Sequence, residues 1–309
     1  MVSAVPLSIP PVAPPAILPA ASPGASPLQY DILFQDPDLP EPLPSLEAIE
    51  SAQFISEKVS RNVVSATACF AVKFGYEVQP LEAENMRFVR ENTNVRVPRV
   101  FAVYQRDRET ELPKTYIVME KLAGDSLDKL WHGLDAAQKL DIVAQLKVAF
   151  ASLRSLPHPG FFGSIDGTKL REFLFDDIDK PTPSVRSPFK TEDALIDGLL
   201  DRFLAEDPGR LRHKTAYYRL VLPKIFKGSG QPVFTHSDLQ LKNIMLQPDG
   251  RVAMIDWDVA GWYPAYWEYA VAICAHAMWP NDWPSHVGLF LDEYPNHFAW
   301  MNRLRMERW

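Results

Sequence analysis

Chemistry concentrates in one run, Val233-Phe234-Thr235-His236-Ser237-Asp238-Leu239-Gln240-Leu241-Lys242-Asn243-Ile244-Met245-Leu246. Asp238 stands five residues before Asn243, and a second carboxylate, Asp256, follows thirteen residues after it. A carboxamide oxygen with a carboxylate is a hard donor set. It suits Mg²⁺, which takes few protein ligands and completes its shell with water and phosphate oxygens. Asp238, in the loop ahead of that pair, is placed to orient a hydroxyl and take its proton. Phosphoryl transfer asks mainly for positioning and charge neutralisation, so one base and a metal-holding pair suffice. A metal-dependent hydrolase built on His236, Asp238 and Asp256 finds no supporting motif such as His-Glu-x-x-His.

These side chains need a scaffold that brings them together. Gln247-Pro248-Asp249-Gly250 reads as a type I turn, with Pro248 at i+1 and Gly250 at i+3. It predicts a hairpin in which Met245 faces Val252 and Asn243 faces Met254. Side chains two apart share a face, so Asp256 comes to lie diagonally across from Asn243, roughly 7–8 Å away. Upstream, Val63 to Phe74 is rich in β-branched and apolar residues and predicts strand structure ending in Ala71-Val72-Lys73-Phe74-Gly75. Leu81 to Arg90 predicts a helix with Glu82, Met86 and Val89 on one face. Val100–Tyr104 and Thr115–Met119 predict two more strands. Beyond them the pattern becomes helical. Asp135 is a predicted N-cap with Gln138 at N3, ahead of Leu140, Val143, Leu146, Phe150 and Leu153. Thr191 is a second cap, ahead of Leu195, Leu199 and Phe203.

His236-x-Asp238-x-x-x-x-Asn243, with Asp256 after it, resembles the catalytic loop and metal-binding Asp of the protein-kinase-like superfamily. With Ile255-Asp256-Trp257-Asp258 and Ala260-Gly261-Trp262-Tyr263-Pro264-Ala265-Tyr266-Trp267-Glu268-Tyr269, the chain is similar to the aminoglycoside phosphotransferase and choline kinase-like family, in its fungal-type branch. That resemblance implies an α+β, bilobal protein-kinase-like fold, with a small β-rich N-lobe and a larger helical C-lobe. It implies an ATP-dependent phosphotransferase that uses Mg²⁺ and a small-molecule acceptor bearing a hydroxyl. The site residues it implies are Asp238 as catalytic base and Asn243 and Asp256 as metal ligands. Lys73 would hold the α- and β-phosphates, with Glu82 or Glu84 as its ion-pair partner. Glu82 is the choice here because it shares a face with Met86 and Val89. The backbone from Glu120 to Leu122 would meet the adenine edge.

The sequence also departs from protein kinases. Ser237 stands where they carry Arg, and Trp257-Asp258 follows the metal Asp in place of Phe-Gly. No glycine occurs between Gly24 and Gly75, so a Gly-rich phosphate loop is absent, and Ser60-Arg61-Asn62 is the candidate turn. Only a short segment links Asp256 to Glu268, too little for a peptide platform. These points favour a small-molecule acceptor over a protein. Trp257 or Trp262 is expected either to pack the core or to wall the acceptor site. Asp258 is expected to be solvated, ion-paired, or facing a cationic acceptor.

The 309 residues carry a net charge of −7, with no run of Lys and Arg, so a nucleic-acid partner is not expected. No stretch of 18 uninterrupted apolar residues exists, and none of the first fifty residues is Lys or Arg. A membrane span or basic leader is therefore not expected, and a cytoplasmic protein is. Cys69 and Cys274 are expected as free thiols. Residues 1–44 hold 12 of the 28 prolines and predict an extended, disordered tail. The expected division is a tail over 1–44, a nucleotide-binding N-lobe over 45–120 and a C-lobe over 121–309.

Overall fold

The computed structural model describes residues 30–108, 111–175, 188–228, 230–275 and 281–307. A six-stranded antiparallel sheet forms the N-lobe, in the order β1-β5-β6-β4-β3-β2. Its strands are β1 (Asp31–Gln35), β2 (Gln53–Ser56), β3 (Asn62–Ser65), β4 (Phe70–Gly75), β5 (Val100–Arg108) and β6 (Glu111–Glu120). Helix α1 (Leu46–Glu50) precedes β2, and α2 (Pro80–Asn92) crosses from β4 to β5. The Val63–Phe74 run is thus two strands, β3 and β4, paired Asn62 to Phe74 through Ser65 to Ala71.

The tail expectation needs correction at its C-terminal end. Asp31–Gln35 pairs with β5, and Leu39 and Leu43 pack on the sheet's apolar cluster. Prolines crowd the surrounding sequence but leave Asp31-Ile32-Leu33-Phe34-Gln35 clear. An edge strand that short needs only a few free N–H groups. The rest of the expected tail, residues 1–29, lies outside the described residues, as does the acidic run at Asp176, Asp177 and Asp179.

The C-lobe opens with β7 (Asp125–Ser126) and α3 (Leu127–Leu130), then α4 (Ala136–Arg154). Asp135 caps α4 with a reciprocal capping box to Gln138. Val143, Leu146, Phe150 and Leu153 are buried as the spacing predicts. Leu140 instead faces solvent, and Ile142 takes a place on the buried stripe. Thr191 caps α5 (Glu192–Glu206), which pairs with α6 (Pro208–Ile225). Short strands then return as β8 (Val233–Thr235), β9 (Ile244–Leu246), β10 (Val252–Met254) and β11 (Gly261–Tyr263). The chain closes on α7 (Trp267–Cys274), α8 (Trp283–Val287) and α9 (Pro295–Met306).

One apolar cluster spans both lobes, from Met86, Val89 and Ile117 to Trp131, Leu146 and Trp257. At roughly 1.5–3 kcal/mol for each large apolar side chain removed from water, this shared core binds the lobes together. A second cluster lies between α5, α6, α7 and α9. Trp131, Trp257, Trp262, Trp267 and Trp283 are all buried, so Trp257 and Trp262 are core residues and not walls of an acceptor site. Among the described residues no helix is long and apolar enough to cross a membrane, and both cysteines are free thiols.

Candidate active site

Lys73 sits in the middle of β4 with its side chain inside the cleft, 7% exposed. Its register opposite Val63 and Ile117 fixes that direction. The Nζ atom donates to Glu82 Oε1 at 2.8 Å and to Asp256 Oδ1 at 2.6 Å. Glu82 lies in the first turn of α2 and is fully buried, while Glu84 faces solvent. The structure therefore pairs Lys73 with Glu82. Burial alone would push the Lys73 ammonium down, but Glu82 and Asp256 outweigh it and hold the group well above the ordinary lysine range. Burial pushes the Glu82 carboxyl up, against the pull of Lys73. For Asp256 burial acts upward too, but the Lys73 charge wins and holds it below the usual carboxylate range.

The segment from His236 to Asn243 is braced from behind. His236 is fully buried and bonds on both ring nitrogens. Nε2 lies 2.9 Å from the Ile255 carbonyl, and Nδ1 accepts the Asp238 N–H at 3.2 Å. Those partners require the tautomer with the proton on Nε2. Glu268, on α7, accepts the N–H of His236 at 2.7 Å and of Ser237 at 3.2 Å. Ser237 has a left-handed backbone, φ +66°, and its Oγ accepts the Trp267 indole N–H at 3.1 Å. The residue that replaces the kinase Arg is thus a turn residue locked by a tryptophan.

Asp238 points its carboxylate toward Asn243. Its Oδ2 accepts Asn243 Nδ2 at 2.7 Å, and its Oδ1 accepts the Gln240 side chain. The Asp238 carbonyl accepts Asn243 Nδ2 as well, at 2.8 Å. Both partners can only accept, so the amide nitrogen must face them and Asn243 Oδ1 is left for another partner. Asp256 has one oxygen on Lys73, while its Oδ2 has no hydrogen-bond partner among the described residues. Asn243 Oδ1 and Asp256 Oδ2 are hard oxygen donors, a set that fits Mg²⁺. Carboxylate oxygens of Glu82, Asp256 and Asp258 also lie within 4.8 Å of one another.

The hairpin that carries the pair differs from the expected one by one residue. Val252 pairs with Leu246, Ala253 with Met245 and Met254 with Ile244. The turn closes through Gly250 N–H to the Gln247 carbonyl, and Gly250 adopts φ +84°. A type I turn followed by a left-handed glycine forms a bulge that adds one residue to the loop. The expected register omits that residue. The backbones leading to Asn243 and Asp256 are still adjacent, because the Ile255 N–H donates to the Asn243 carbonyl at 3.0 Å, and Asp256 leaves the strand at φ +66°. A non-glycine residue there is strained, and both such residues in the described structure lie in this site.

At the hinge, Glu120 is committed elsewhere. Its N–H donates to the Arg99 carbonyl at 2.8 Å, and its carboxylate pairs with Arg96. The Lys121 N–H donates to the Cys69 carbonyl at 2.8 Å. Neither contact reaches Leu122. The Glu120 N–H is thus already bonded, and the expected adenine contact of the Glu120–Leu122 backbone falls to the groups these bonds leave open.

Sequence reasoning missed several residues here. Asn85, on α2, donates to the Trp257 carbonyl at 2.8 Å and ties that helix to the loop at Asp256 and Trp257. Glu268 served only as a spacing marker, although its place in the first turn of α7 positions it as an anchor. Arg61 donates to Asp258 Oδ2 at 2.7 Å across the lobe interface, so Asp258 is ion-paired. No short-range pattern reveals a pair so far apart in the chain.

A cleft of about 450 Å³ opens beside Asp238, lined also by Arg61, Asp258, Glu172, Cys274 and Arg305. Glu172 is buried, pairs with Arg305 of α9 and accepts the Leu174 N–H at 2.9 Å. Burial pushes the Cys274 thiol up to about 11.

Among solved structures, the fold is similar to aminoglycoside phosphotransferase APH(4)-Ia in a thermostable apo form. That match has a TM-score of 0.53 at 15% identity and covers 82% of this chain and 81% of that one. APH(2")-IIia, solved with GDP and kanamycin, matches with a TM-score of 0.54 at 14% identity, over 83% and 84% of the two chains. The amicoumacin kinase hAmiN, solved with AMP-PNP, Ca²⁺ and Ami, matches at 0.50 and 12% identity, over 82% and 72%. No curated protein sequence matches the chain. The family model described as "Phosphotransferase enzyme family" matches residues 76–303. That span takes in Glu82, Asp238, Asn243, Asp256 and Glu268 and covers most of the chain, which therefore belongs to this phosphotransferase family.

Proposed function

We propose that the chain transfers the terminal phosphoryl group of ATP, with Mg²⁺, to a hydroxyl of a small molecule. The observation that carries this reading is the convergence of two separate constellations on one cleft. Lys73, Glu82 and Asp256 form one, and Asp238 with Asn243 forms the other. Nucleotides bound to the structural relatives, AMP-PNP in one and GDP in another, agree with a triphosphate donor.

In this reading Lys73, held by Glu82, grips the α- and β-phosphates. Asn243 and Asp256 would hold Mg²⁺, which supplies charge neutralisation at the phosphates when bound. Asp238 orients the acceptor hydroxyl and takes its proton. His236 and Glu268 position Asp238 from behind without touching substrate. The backbone near Leu122 receives the adenine edge. The acceptor occupies the cleft beside Asp238, where no peptide platform competes for space.

Thermal shift with Mg-ATP tests the donor half. A ligand that binds only the folded state raises the melting temperature by mass action. The expected result is a Mg²⁺-dependent rise in the intact protein that is lost in Asp256→Ala. No rise at millimolar Mg-ATP would reject the reading and favour a catalytically silent member of the family.

A further inference from the structure

The phosphate-covering turn between β2 and β3, Glu57-Lys58-Val59-Ser60-Arg61, contains no glycine. Glycines in such a turn let backbone N–H groups close on phosphate oxygens. This turn is built around a side chain. The Lys58 N–H donates to the Asn62 carboxamide at 3.1 Å, which closes the turn on itself. The Ser60 carbonyl accepts the Glu77 N–H at 3.3 Å and lies against Gly75, where any Cβ would collide with it. The turn is thereby pinned to the end of β4, two residues beyond Lys73.

Arg61 leaves this pinned turn and enters the cleft that also holds Asp238 and Asp256. Its Nε donates to Glu77 at 3.1 Å and one Nη1 hydrogen to Asp258 at 2.7 Å. A guanidinium has five N–H groups, and Nη2 takes no partner among the described residues. Asp258 lies within 4.8 Å of the Asp256 carboxylate, which in turn holds Lys73. Two cations therefore serve this carboxylate cluster, Lys73 on Asp256 and Arg61 on the neighbouring Asp258. A planar guanidinium fork suits a phosphoryl group better than it suits one carboxylate oxygen.

We infer that Arg61 is the ligand of the terminal phosphoryl group, supplying from a side chain the contact that a glycine loop makes with amides. Asp258 and Glu77 aim it by holding two of its N–H groups and leave the Nη2 edge to the phosphate. This rests on the Mg-ATP reading above. In the transfer itself, the bond from the terminal phosphorus to its bridging oxygen breaks as the acceptor oxygen bonds to that phosphorus. The acceptor proton passes to Asp238, and the diphosphate leaves with the bond's electron pair. Arg61 takes no part in bond making. It neutralises the oxygens of the moving group, as an arginine supplied from the same chain does in other phosphoryl transferases.

The test compares affinity for Mg-AMP-PNP with affinity for Mg-ADP on the full chain, since only the first presents a terminal phosphoryl group. Wild type is expected to prefer the triphosphate analogue. Arg61→Ala is expected to lose that preference through a roughly 10- to 100-fold fall in triphosphate affinity, the effect of one charge-assisted hydrogen-bond pair. Diphosphate affinity should hold. Glu77→Gln, which keeps the guanidinium and an oxygen acceptor for its Nε but removes the charge that helps aim it, should weaken the preference by less than Arg61→Ala does. If Arg61→Ala does not fold, Arg61→Gln is read in the same way. Wild type without a preference, an unchanged ratio in the Arg61 variant, or an equal loss in Glu77→Gln would overturn the assignment. Wild type that binds neither nucleotide would overturn the Mg-ATP reading and this one with it. Binding of both with an unchanged ratio overturns only the role of Arg61.

Discussion

The two walls of the cleft are built differently. The inner wall, from Lys73 and Glu82 to Asp238, Asn243 and Asp256, is cross-braced by buried charge pairs and by backbone N–H groups held on Glu268. Among the described residues, the outer wall beside Glu172, Cys274 and Arg305 is held by the Glu172–Arg305 ion pair and by packing between α7 and α9. A buried network of paired charges and hydrogen bonds fixes one geometry, because each of those bonds is expensive to lose. A wall of packed helices tolerates substitution at lower cost. The contrast fits a shared donor chemistry on one side and an acceptor choice on the other.

The largest effect should come from the inner wall. Asp238→Asn keeps the shape but removes the proposed base, and a steady-state assay should show kcat reduced by about 10²–10⁴-fold. Nucleotide affinity should survive. Turnover near wild type would break the comparison at its centre.

Next is Glu268. Glu268→Ala strands two buried N–H groups and should cost about 2–4 kcal/mol in denaturant unfolding. Glu268→Gln retains an acceptor and should cost less. Burial, the largest influence, raises the Glu268 carboxyl above its ordinary range. A raised group contributes stability below its unfolded value and loses it as pH rises through the folded value. The advantage of wild type over Glu268→Gln should thus be greatest in acid and shrink toward neutrality. An advantage that grows with pH would show that the charge itself stabilises the loop.

Smaller again is Asn85→Ala, which frees the Trp257 carbonyl from α2 and should cost about 1–2 kcal/mol by thermal or chemical unfolding. Mg-ATP affinity should fall with it, whereas a purely structural bond would leave affinity alone. Smallest is Cys274→Ser on the outer wall. It should move acceptor KM by no more than about tenfold and leave nucleotide KM unchanged. A larger effect on the nucleotide would erase the distinction between the walls.

The inner wall was largely legible in the sequence, and the outer wall was not. Asp238, Asn243 and Asp256 sit within one short segment, where loop and hairpin rules place side chains from spacing alone. Lys73 and Glu82 come from the family resemblance, and periodicity adds only that Lys73 lies in a strand and that Glu82 shares a helix face with Met86 and Val89. The register error had a local cause: the left-handed Gly250 adds a bulge that a simple turn reading omits. Asn85, Arg61 and the Glu172–Arg305 pair depend on contacts between distant segments, which no periodicity reports. The strand at Asp31–Gln35 was hidden because proline density was averaged over its neighbours. Leu140 fits a helical stripe by spacing, yet only tertiary packing decides which apolar side chains reach the core.

The bond from Asn85 to the loop at Trp257 also bears on how the molecule can move. The Met254 N–H donates to the Arg96 carbonyl, so β10 is fastened to the N-lobe at a second point. These two fastenings tie α2, the Arg96 segment and the Asp256 loop into one body. A hinge that opens the cleft without breaking these bonds would run between this body and the helices of the outer wall. Lys73, Glu82 and Asp256 would ride together through such an opening, and the donor site would stay assembled while the acceptor side swings.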